Sequence, residues 1–299
     1  MYQKAYGIIK TLAPLHVGST AGEETGNLNL IFREQFTQTG MIPASSIRGR
    51  LRADLFAQTK DEEQVKYWYG RASEKKKSSE ETSETNASER SQNYEYESLI
   101  KLEHASIVWV PVFCPGQPIV WVSCPLLLER YKRIRNMTEK VPKPGTSSLQ
   151  LNKKRLFFNL GFLELKQPGQ DLSNWFLPGI IPPNTPPGKE QLPAVIVENN
   201  EMGMIHDMAL YRQSRVALEQ GQKVVENFFN VEALPEGTIL IFPIALKKGQ
   251  SQEKTWEKWE PLENNKEGDV YLGGLESVGF GHCWMKLEKI EEKTREENV

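Results

Sequence analysis

The sequence has few cysteines and no long apolar run, and both absences narrow the class of protein it can be. Its 299 residues include three cysteines, Cys114, Cys124 and Cys283, none in a CxxC pair. A disulfide framework is therefore excluded, a zinc knuckle is unsupported, and buried free thiols are expected. No apolar stretch reaches the roughly 20 residues of a membrane-spanning helix. The start lacks the features of a signal peptide, which predicts a cytoplasmic protein without a membrane partner.

An excess of positive charge is also missing. The chain has 37 Lys and Arg against 39 Asp and Glu, a net charge of -2. Any binding to nucleic acid must therefore come from a local basic face and not from the overall field. The hydrophobic content of 38% is enough for one sizeable core. We accordingly predict one domain over residues 1–299.

The order of apolar segments indicates an α+β fold. A strand, a helix, a hairpin, a second helix and a strand are predicted by periodicity and turn residues. This order fits a ferredoxin-like arrangement. The helix has Ile47, Leu51 and Leu55 at a spacing of four, which places one apolar stripe on the core. The predicted segments are 6–12, 47–56, 105–113 with 119–122, 124–135 and 238–246.

Three segments are expected to lie outside this core. Residues 72–98 are polar, mixed in charge and almost free of apolar side chains, which predicts a disordered insertion. Residues 167–193 are crowded with Pro and Gly and indicate an irregular excursion. Residues 291–299 predict a solvated tail.

Two hydroxyls and three guanidiniums cluster at the start of the first predicted helix. They belong to Ser45, Ser46, Arg48, Arg50 and Arg52 in the segment MIPASSIRGRLRADLF. Helix N-terminal amides attract phosphate, and Arg binds phosphate through a bidentate fork. Spacing alone favours the ordinary explanation, an N-cap followed by a solvated basic face.

A glycine-rich turn near the end of the chain is the second notable motif. In YLGGLESVGFGHCWMKL, four glycines would let the backbone approach a ligand closely: Gly273, Gly274, Gly279 and Gly281. A dinucleotide site is disfavoured because a strand, and not a helix, follows the motif. An ordinary glycine-rich hairpin remains the alternative.

His16 follows the first predicted strand in a loop that includes Gly18 and Ser19. A lone histidine usually has a hydrogen-bonded structural role, and a contact with RNA or catalysis is the functional alternative. The spacing of the other histidines predicts no metal site.

Six segments in order give the chain a resemblance to a known family. They are LAPLHVGS, REQFTQTGMIPASSIRGRLRADLF, ASIVWVPVF, WVSCPLLLERYKRIRN, EMGMIHDMALYRQSRVA and YLGGLESVGFGHCWMKL. The chain resembles the RAMP (repeat-associated mysterious protein) superfamily from about residue 6 to 287, apart from the polar insertion. It is most similar to the backbone subunit of the Cmr-type (type III-B) CRISPR effector complex.

This resemblance implies a modified ferredoxin-like (RRM-like) palm with an inserted fingers region. It also implies a β-hairpin thumb within residues 195–216, so that the Pro-rich excursion and the thumb together span 167–216. It implies copies stacked along a guide RNA (crRNA), with complementary target RNA and other type III subunits as partners. The thumb residues Met202, Met204, Ile205 and Met208 would wedge between bases, although core filling is the alternative. The implied guide contacts are His16, Gly18, Ser19, Ser45, Ser46, Arg48, Arg50, Arg52, Gly273, Gly274, Ser277, Gly279 and Gly281.

The sequence departs from the family at the acid that cleaves target RNA. The family pattern is Gly-x-x-Asp-x-Pro-x-x-Arg-Glu, whereas this chain has GNLNLIFRE, with Leu28 or Asn29 at the acid position. Neither residue is a base or a sufficient ligand for a hard cation. We therefore expect binding without cutting and no cofactor, with magnesium or manganese needed only if Glu23 or Glu24 retains cleavage.

Three alternatives remain open. The first is a metal-dependent endoribonuclease subunit that cuts target RNA. The second is a single-chain guide-processing RAMP endoribonuclease, for which His16 is the candidate base. The third is a solitary RNA-binding module.

Overall fold

One sheet of nine strands organises the fold. The protein is described by a computed structural model over residues 2–18, 28–70, 97–159, 161–176, 180, 192–218, 225–247 and 255–290. The strands are β1 Tyr2–Thr11, β2 Leu28–Asn29, β3 Met41–Ile42, β4 Ile100–Leu102, β5 Ala105–Cys114, β6 Gln117–Ser123, β7 Arg155–Phe158, β8 Gly161–Glu164, β9 Ala194–Ile196, β10 Tyr211–Leu218, β11 Val225–Ala233, β12 Ile239–Lys247, β13 Glu267–Tyr271 and β14 His282–Lys289. The helices are α1 Ala44–Thr59, α2 Glu62–Tyr69, α3 Pro125–Arg135, α4 Asn199–Ala209 and α5 Thr255–Lys258.

The central strand β1 is buried on both faces of this sheet. The strand order is β13-β14-β1-β12-β5-β6-β9, with β3 paired to β5 and β4 paired to β12. Successive side chains of a strand point to opposite faces, and both Ile8 and Ile9 are fully buried. Ile9 belongs to the core that includes Leu51 of α1, and Ile8 to the core that includes Leu128 of α3. The two helices therefore pack against opposite faces.

The α+β class and the order of the predicted segments are confirmed. The first helix is longer than predicted and spans Ala44–Thr59, and its stripe of Ile47, Leu51 and Leu55 is buried as expected. Each such side chain contributes roughly 1.5–3 kcal/mol through burial. The RRM-like palm stays a hypothesis, because β12 lies between β1 and β5 and the helices occupy both faces.

The three cysteines are free and buried, as predicted. Burial raises the pKa of the Cys283 thiol to about 12 and raises the pKa values of Cys114 and Cys124 as well. All three thiols are therefore protonated at neutral pH and serve as small apolar side chains.

The predicted hairpin thumb stays a prediction, and the structure gives residues 195–216 more helix than a hairpin would have. Half of residues 195–216 is helix α4, and of the antiparallel pair only the first part of β10, from Tyr211, lies in that range, whereas β11 follows at 225–233. A capping box between Glu198 and Glu201 begins the helix. Met202 and Ile205 then recur at helical spacing and are buried, so these two fill the core and cannot wedge between bases in this structure. On the same helix Met208 is partly buried and Met204 is exposed.

Several predicted features lie outside the described residues. They are the polar insertion up to residue 96, residues 177–179 and 181–191 of the Pro-rich excursion, the tail at 291–299, Ser19, Glu23 and Glu24. The described part of that excursion does not leave the core as predicted, because Leu172, Trp175, Phe176 and Ile180 are buried in it. Among the helices that are described, none has the length and apolar character to cross a membrane.

Candidate functional site

The loop after β1 is joined directly to the glycine-rich turn. The Gly274 N–H donates to the His16 carbonyl at 3.0 Å, and the Gly281 N–H donates to the Pro14 carbonyl at 2.9 Å. Gly273 has φ +77°, and a Cβ there would lie 2.2 Å from the His16 carbonyl oxygen. Two motifs that are far apart in the sequence thus lie next to each other.

The glycines of the turn fall into two groups. Gly281 has φ +85°, and a Cβ there would lie 2.4 Å from the Leu272 carbonyl oxygen, so Gly273 and Gly281 are required by the turn itself. For these two, the ordinary structural explanation holds. No atom lies within 4 Å of a Cβ built at Gly274 or Gly279, which leaves space for a ligand beside the turn, and of these two only Gly279, with φ +91°, is also required by the backbone. Ser277 is exposed between them.

His16 has a structural role in this surface. Its ring is buried, and Nδ1 donates to the Glu232 carbonyl oxygen at 2.6 Å. A carbonyl oxygen can only accept, so Nδ1 carries the proton. The remaining nitrogen, Nε2, has no hydrogen-bond partner in the described part of the chain and lies beside Gly18, which is exposed. This burial weighs against His16 as a catalytic base, although Nε2 retains one contact for a ligand.

Helix α1 begins at Ala44, one residue before Ser45, the first of the two serines at the predicted helix start. Its N-cap is Pro43, with no side-chain cap and no acidic residue in the first turn. Ser45 and Ser46 therefore lie in the first turn, where the Ser46 N–H already donates to the Pro43 carbonyl at 3.0 Å. The positive end of the helix dipole is uncompensated, which favours an anion at this position.

The three arginines of α1 have different surroundings. Arg48 donates to the Tyr69 main-chain carbonyl, and burial together with Arg52 lowers its pKa. Arg50 pairs with Asp54 at 2.9 Å and with Glu276 of the glycine-rich turn at 3.3 Å. Arg52 makes no hydrogen bond or ion pair with any residue that the structure describes. It is therefore the guanidinium most available to a phosphate.

Gly49 was missed by sequence reasoning. It is exposed in the interior of α1, and no atom lies within 4 Å of a Cβ built there. A glycine inside a helix costs about 1 kcal/mol relative to alanine. Because nothing within the described structure requires this glycine, the unoccupied surface beside Arg48 and Arg52 is suited to close approach by a ligand backbone.

A network of ion pairs around the buried Glu232 supports this surface. Glu232 on β11 is buried and pairs with Arg33 at 3.2 Å and with Arg212 on β10 at 3.0 Å. Arg33 also pairs with Asp207 of α4. The nearby Nδ1 of His206, at 3.6 Å, and the Arg33 guanidinium lower the pKa of Asp207 to about 2. The network joins the segment after β2 to α4 and to the β10–β11 pair.

We expect Glu232→Gln to lower the free energy of unfolding by about 2 kcal/mol, because it removes the carboxylate that two guanidiniums share. Urea denaturation followed by far-UV circular dichroism measures this loss. Glu236→Gln, at an exposed position without an ion pair among the described residues, is the matched control and should change stability by less than about 0.5 kcal/mol. Equal stability of the two variants would contradict the supporting role of Glu232.

Leu28 and Asn29, the two residues predicted at the acid position, form β2. This strand pairs in parallel with β11, with Leu28 opposite Asn230 and Asn29 opposite Val231. Asn29 is exposed. Among the described residues, which leave out Glu23 and Glu24, no three His, Cys, Asp or Glu side chains lie together as a metal site.

Known proteins match the chain in family and in fold. The model of the RAMP superfamily matches residues 8–284. A cryo-EM structure of the type III-B Cmr-beta bound to cognate target RNA has a TM-score of 0.68 at 20% identity, covering 95% of this chain and 96% of that chain. The crystal structure of oligomeric Cmr4 from Pyrococcus furiosus has a TM-score of 0.65 at 17% identity, covering 97% and 100%. No curated protein sequence matches.

Proposed function

The chain belongs to the RAMP superfamily, and from that we propose that it is a crRNA-binding backbone subunit of a type III CRISPR effector complex. The observation that carries this proposal is the convergence of three motifs on one surface. The uncapped start of α1, the His16 loop and the glycine-rich turn adjoin one another, and Arg50 joins the helix to the turn through Glu276.

The chemistry of this surface suits the RNA backbone and not a particular base. A helix N-terminus, an unpaired Arg52 and open glycine positions all favour phosphate groups. Phosphate contacts carry no direct sequence information, which is what a subunit that binds any guide requires. Next to this surface, β10 and β11 are our candidate for the thumb, with Arg212 held by Glu232.

Partners are proposed from the same family. The fold is shared with Cmr-beta, solved with cognate target RNA, and with Cmr4, solved as an oligomer. We infer that this chain also forms a filament of copies along the guide, accepts complementary target RNA and contacts other type III subunits. An RRM-like palm within the large sheet belongs to the same proposal.

We further propose that the subunit binds target RNA without cleaving it. Asn29 is neutral, cannot act as a base near neutral pH and is a poor sole ligand for a hard cation. An endoribonuclease activity is the alternative, and it would require a carboxylate from the loop that contains Glu23 and Glu24.

The variant Gly49→Ala tests whether α1 provides an RNA-binding surface or only a basic helix face. We expect this change to stabilise the free protein by about 0.5–1 kcal/mol, because alanine favours the helix. We also expect it to weaken binding of single-stranded RNA about tenfold, since the new methyl group blocks approach of the phosphate backbone. Thermal denaturation and fluorescence anisotropy measure the two effects.

Gly203→Ala is the matched control for Gly49→Ala. Gly203 lies inside α4, where a Cβ would make ordinary contacts at 3.5 Å. We expect a similar gain in stability and no change in RNA affinity. A Gly49→Ala protein that binds RNA as tightly as the unmodified chain would contradict the proposed surface.

A further inference from the structure

Two phenylalanine rings are exposed side by side on the β7–β8 pair. Phe157 lies opposite Phe162, their ring centroids are 5.1 Å apart, and the side chains are 40% and 75% exposed. The other face of the pair already supplies the core with Leu156 and Phe158, which are buried. Packing within the chain therefore gives no reason for these two rings to be aromatic.

Three consecutive cations stand beside the rings. Lys153, Lys154 and Arg155 are all exposed, and their side chains make no hydrogen bond or ion pair with the described residues. Glu164 lies opposite Arg155 across the pair without forming an ion pair with it. The rings are thus combined with positive charge that no carboxylate of the described residues pairs with.

The rings and two of the cations line one cavity of about 360 Å³. Its lining includes Lys153, Arg155, Phe157 and Phe162, together with the turn between β5 and β6. This volume lies at the lower end of the roughly 300–1,000 Å³ typical of small-ligand sites. On the other side of Phe162 a cavity of about 160 Å³ is lined by Met204 of α4. Phe162 therefore has open space on both sides, lined by polar as well as apolar side chains, with Glu201 of α4 next to Met204.

We propose that this surface, which we call the β7–β8 platform, is a second binding site for single-stranded RNA. Aromatic rings stack on bases of any sequence, while neighbouring cations bind the backbone. A protein partner is less suited, because it would have to desolvate three unpaired cations. RNA keeps the cations solvated and neutralises them with phosphate.

The platform is distinct from the surface proposed for the guide, and α4 lies between the two. On one side, His206 of α4 accepts from the Gly40 N–H, just before β3 and α1. On the other side, Met204 lines the cavity next to Phe162.

Paired variants of the full chain test the platform in fluorescence anisotropy with a labelled single-stranded RNA of mixed sequence. We expect Phe157→Ala with Phe162→Ala to weaken binding about tenfold. We expect Lys153→Glu with Arg155→Glu to reduce the slope of log affinity against log salt by about two. The controls are Tyr67→Ala, an exposed aromatic on α2, and Lys140→Glu with Lys143→Glu, exposed and unpaired among the described residues. Neither control should change affinity.

Photo-crosslinking with RNA that contains 5-iodouridine distinguishes binding at the platform from binding at the surface proposed for the guide. Adducts on Phe157 or Phe162 support the platform, whatever happens at the His16 loop and α1. Adducts confined to the loop and α1, with unchanged affinity of the double phenylalanine variant, overturn it and leave the proposed function intact. Loss of self-association in that variant without loss of RNA binding would instead assign the surface to a second copy of the chain, and would also overturn the proposal.

Discussion

RNA binding is expected to weaken about a hundredfold when Arg50 and Arg52 are both replaced with Glu. This factor equals about 2.7 kcal/mol, the size expected for two lost charge-assisted contacts. The loss should be equal for RNAs of different sequence, because phosphate contacts do not read bases. The salt dependence should also become flatter, with the slope of log affinity against log salt falling by about two.

The single variants should differ in a way that the structure specifies. Arg52 has no partner among the described residues, so Arg52→Glu should weaken RNA binding with little change in stability. Arg48 bonds the Tyr69 carbonyl, so Arg48→Glu should lower the melting temperature as well. Anisotropy and thermal denaturation of each variant separate these two roles.

Arg133→Glu provides the control for charge. Arg133 is exposed on α3, which packs against the opposite face of the sheet from α1. This variant should bind RNA like the unmodified protein. If Arg133→Glu weakened binding as much as Arg52→Glu, or if the loss depended on RNA sequence, α1 would not be a specific phosphate-binding surface.

The second large effect concerns target cleavage. In the presence of magnesium or manganese, the assembled complex is expected to leave a complementary target RNA uncut at the positions that this subunit occupies. Restoring an acid should create cuts at regular spacing, with a gain of at least about a hundredfold in rate. Asn29→Asp and Leu28→Asp are compared separately, since only one of them occupies the family's acid position.

The structure favours Asn29→Asp as the variant that regains activity. Asn29 is exposed on β2, and the pairing of β2 with β11 fixes its main chain. A catalytic group must be held in place to be effective, and a paired strand provides this. Asn29→Ala is the matched control and should stay inactive.

The readout of cleavage must resolve cut positions, because another subunit of the complex can degrade the same target. Cuts by the unmodified protein that disappear with Glu23→Gln or Glu24→Gln would contradict the proposal that cleavage is lost. In that case the subunit would be an endoribonuclease with a relocated acid.

Patterns within short sequence segments predicted the helices and strands whose formation depends on those segments themselves. The spacing of Ile47, Leu51 and Leu55 predicted α1 because an amphipathic helix repeats its apolar face every three to four residues. Apolar runs predicted β5 and β12 because strands buried on both faces carry few polar side chains. Glycine-rich composition located the turn at 273–281, although only the structure shows which glycines the chain itself requires.

The remaining parts depend on contacts that no local pattern contains. Arg33 and Glu232 are 199 residues apart, and only the folded chain brings them together. The resemblance implied a thumb within residues 195–216, and it did not indicate that half of this range forms a helix with Met202 in the core. The capping box of Glu198 and Glu201 was the available signal for a helix there.

Native mass spectrometry of the complex purified through this chain from its own host tests the central claim most directly. A crRNA-binding backbone subunit should be recovered with RNA of one discrete length and with several copies of the chain on each RNA. Variants with Glu at both Arg50 and Arg52 should lose the RNA and the copies together. Recovery of the unmodified chain as a monomer free of RNA would contradict the proposed function.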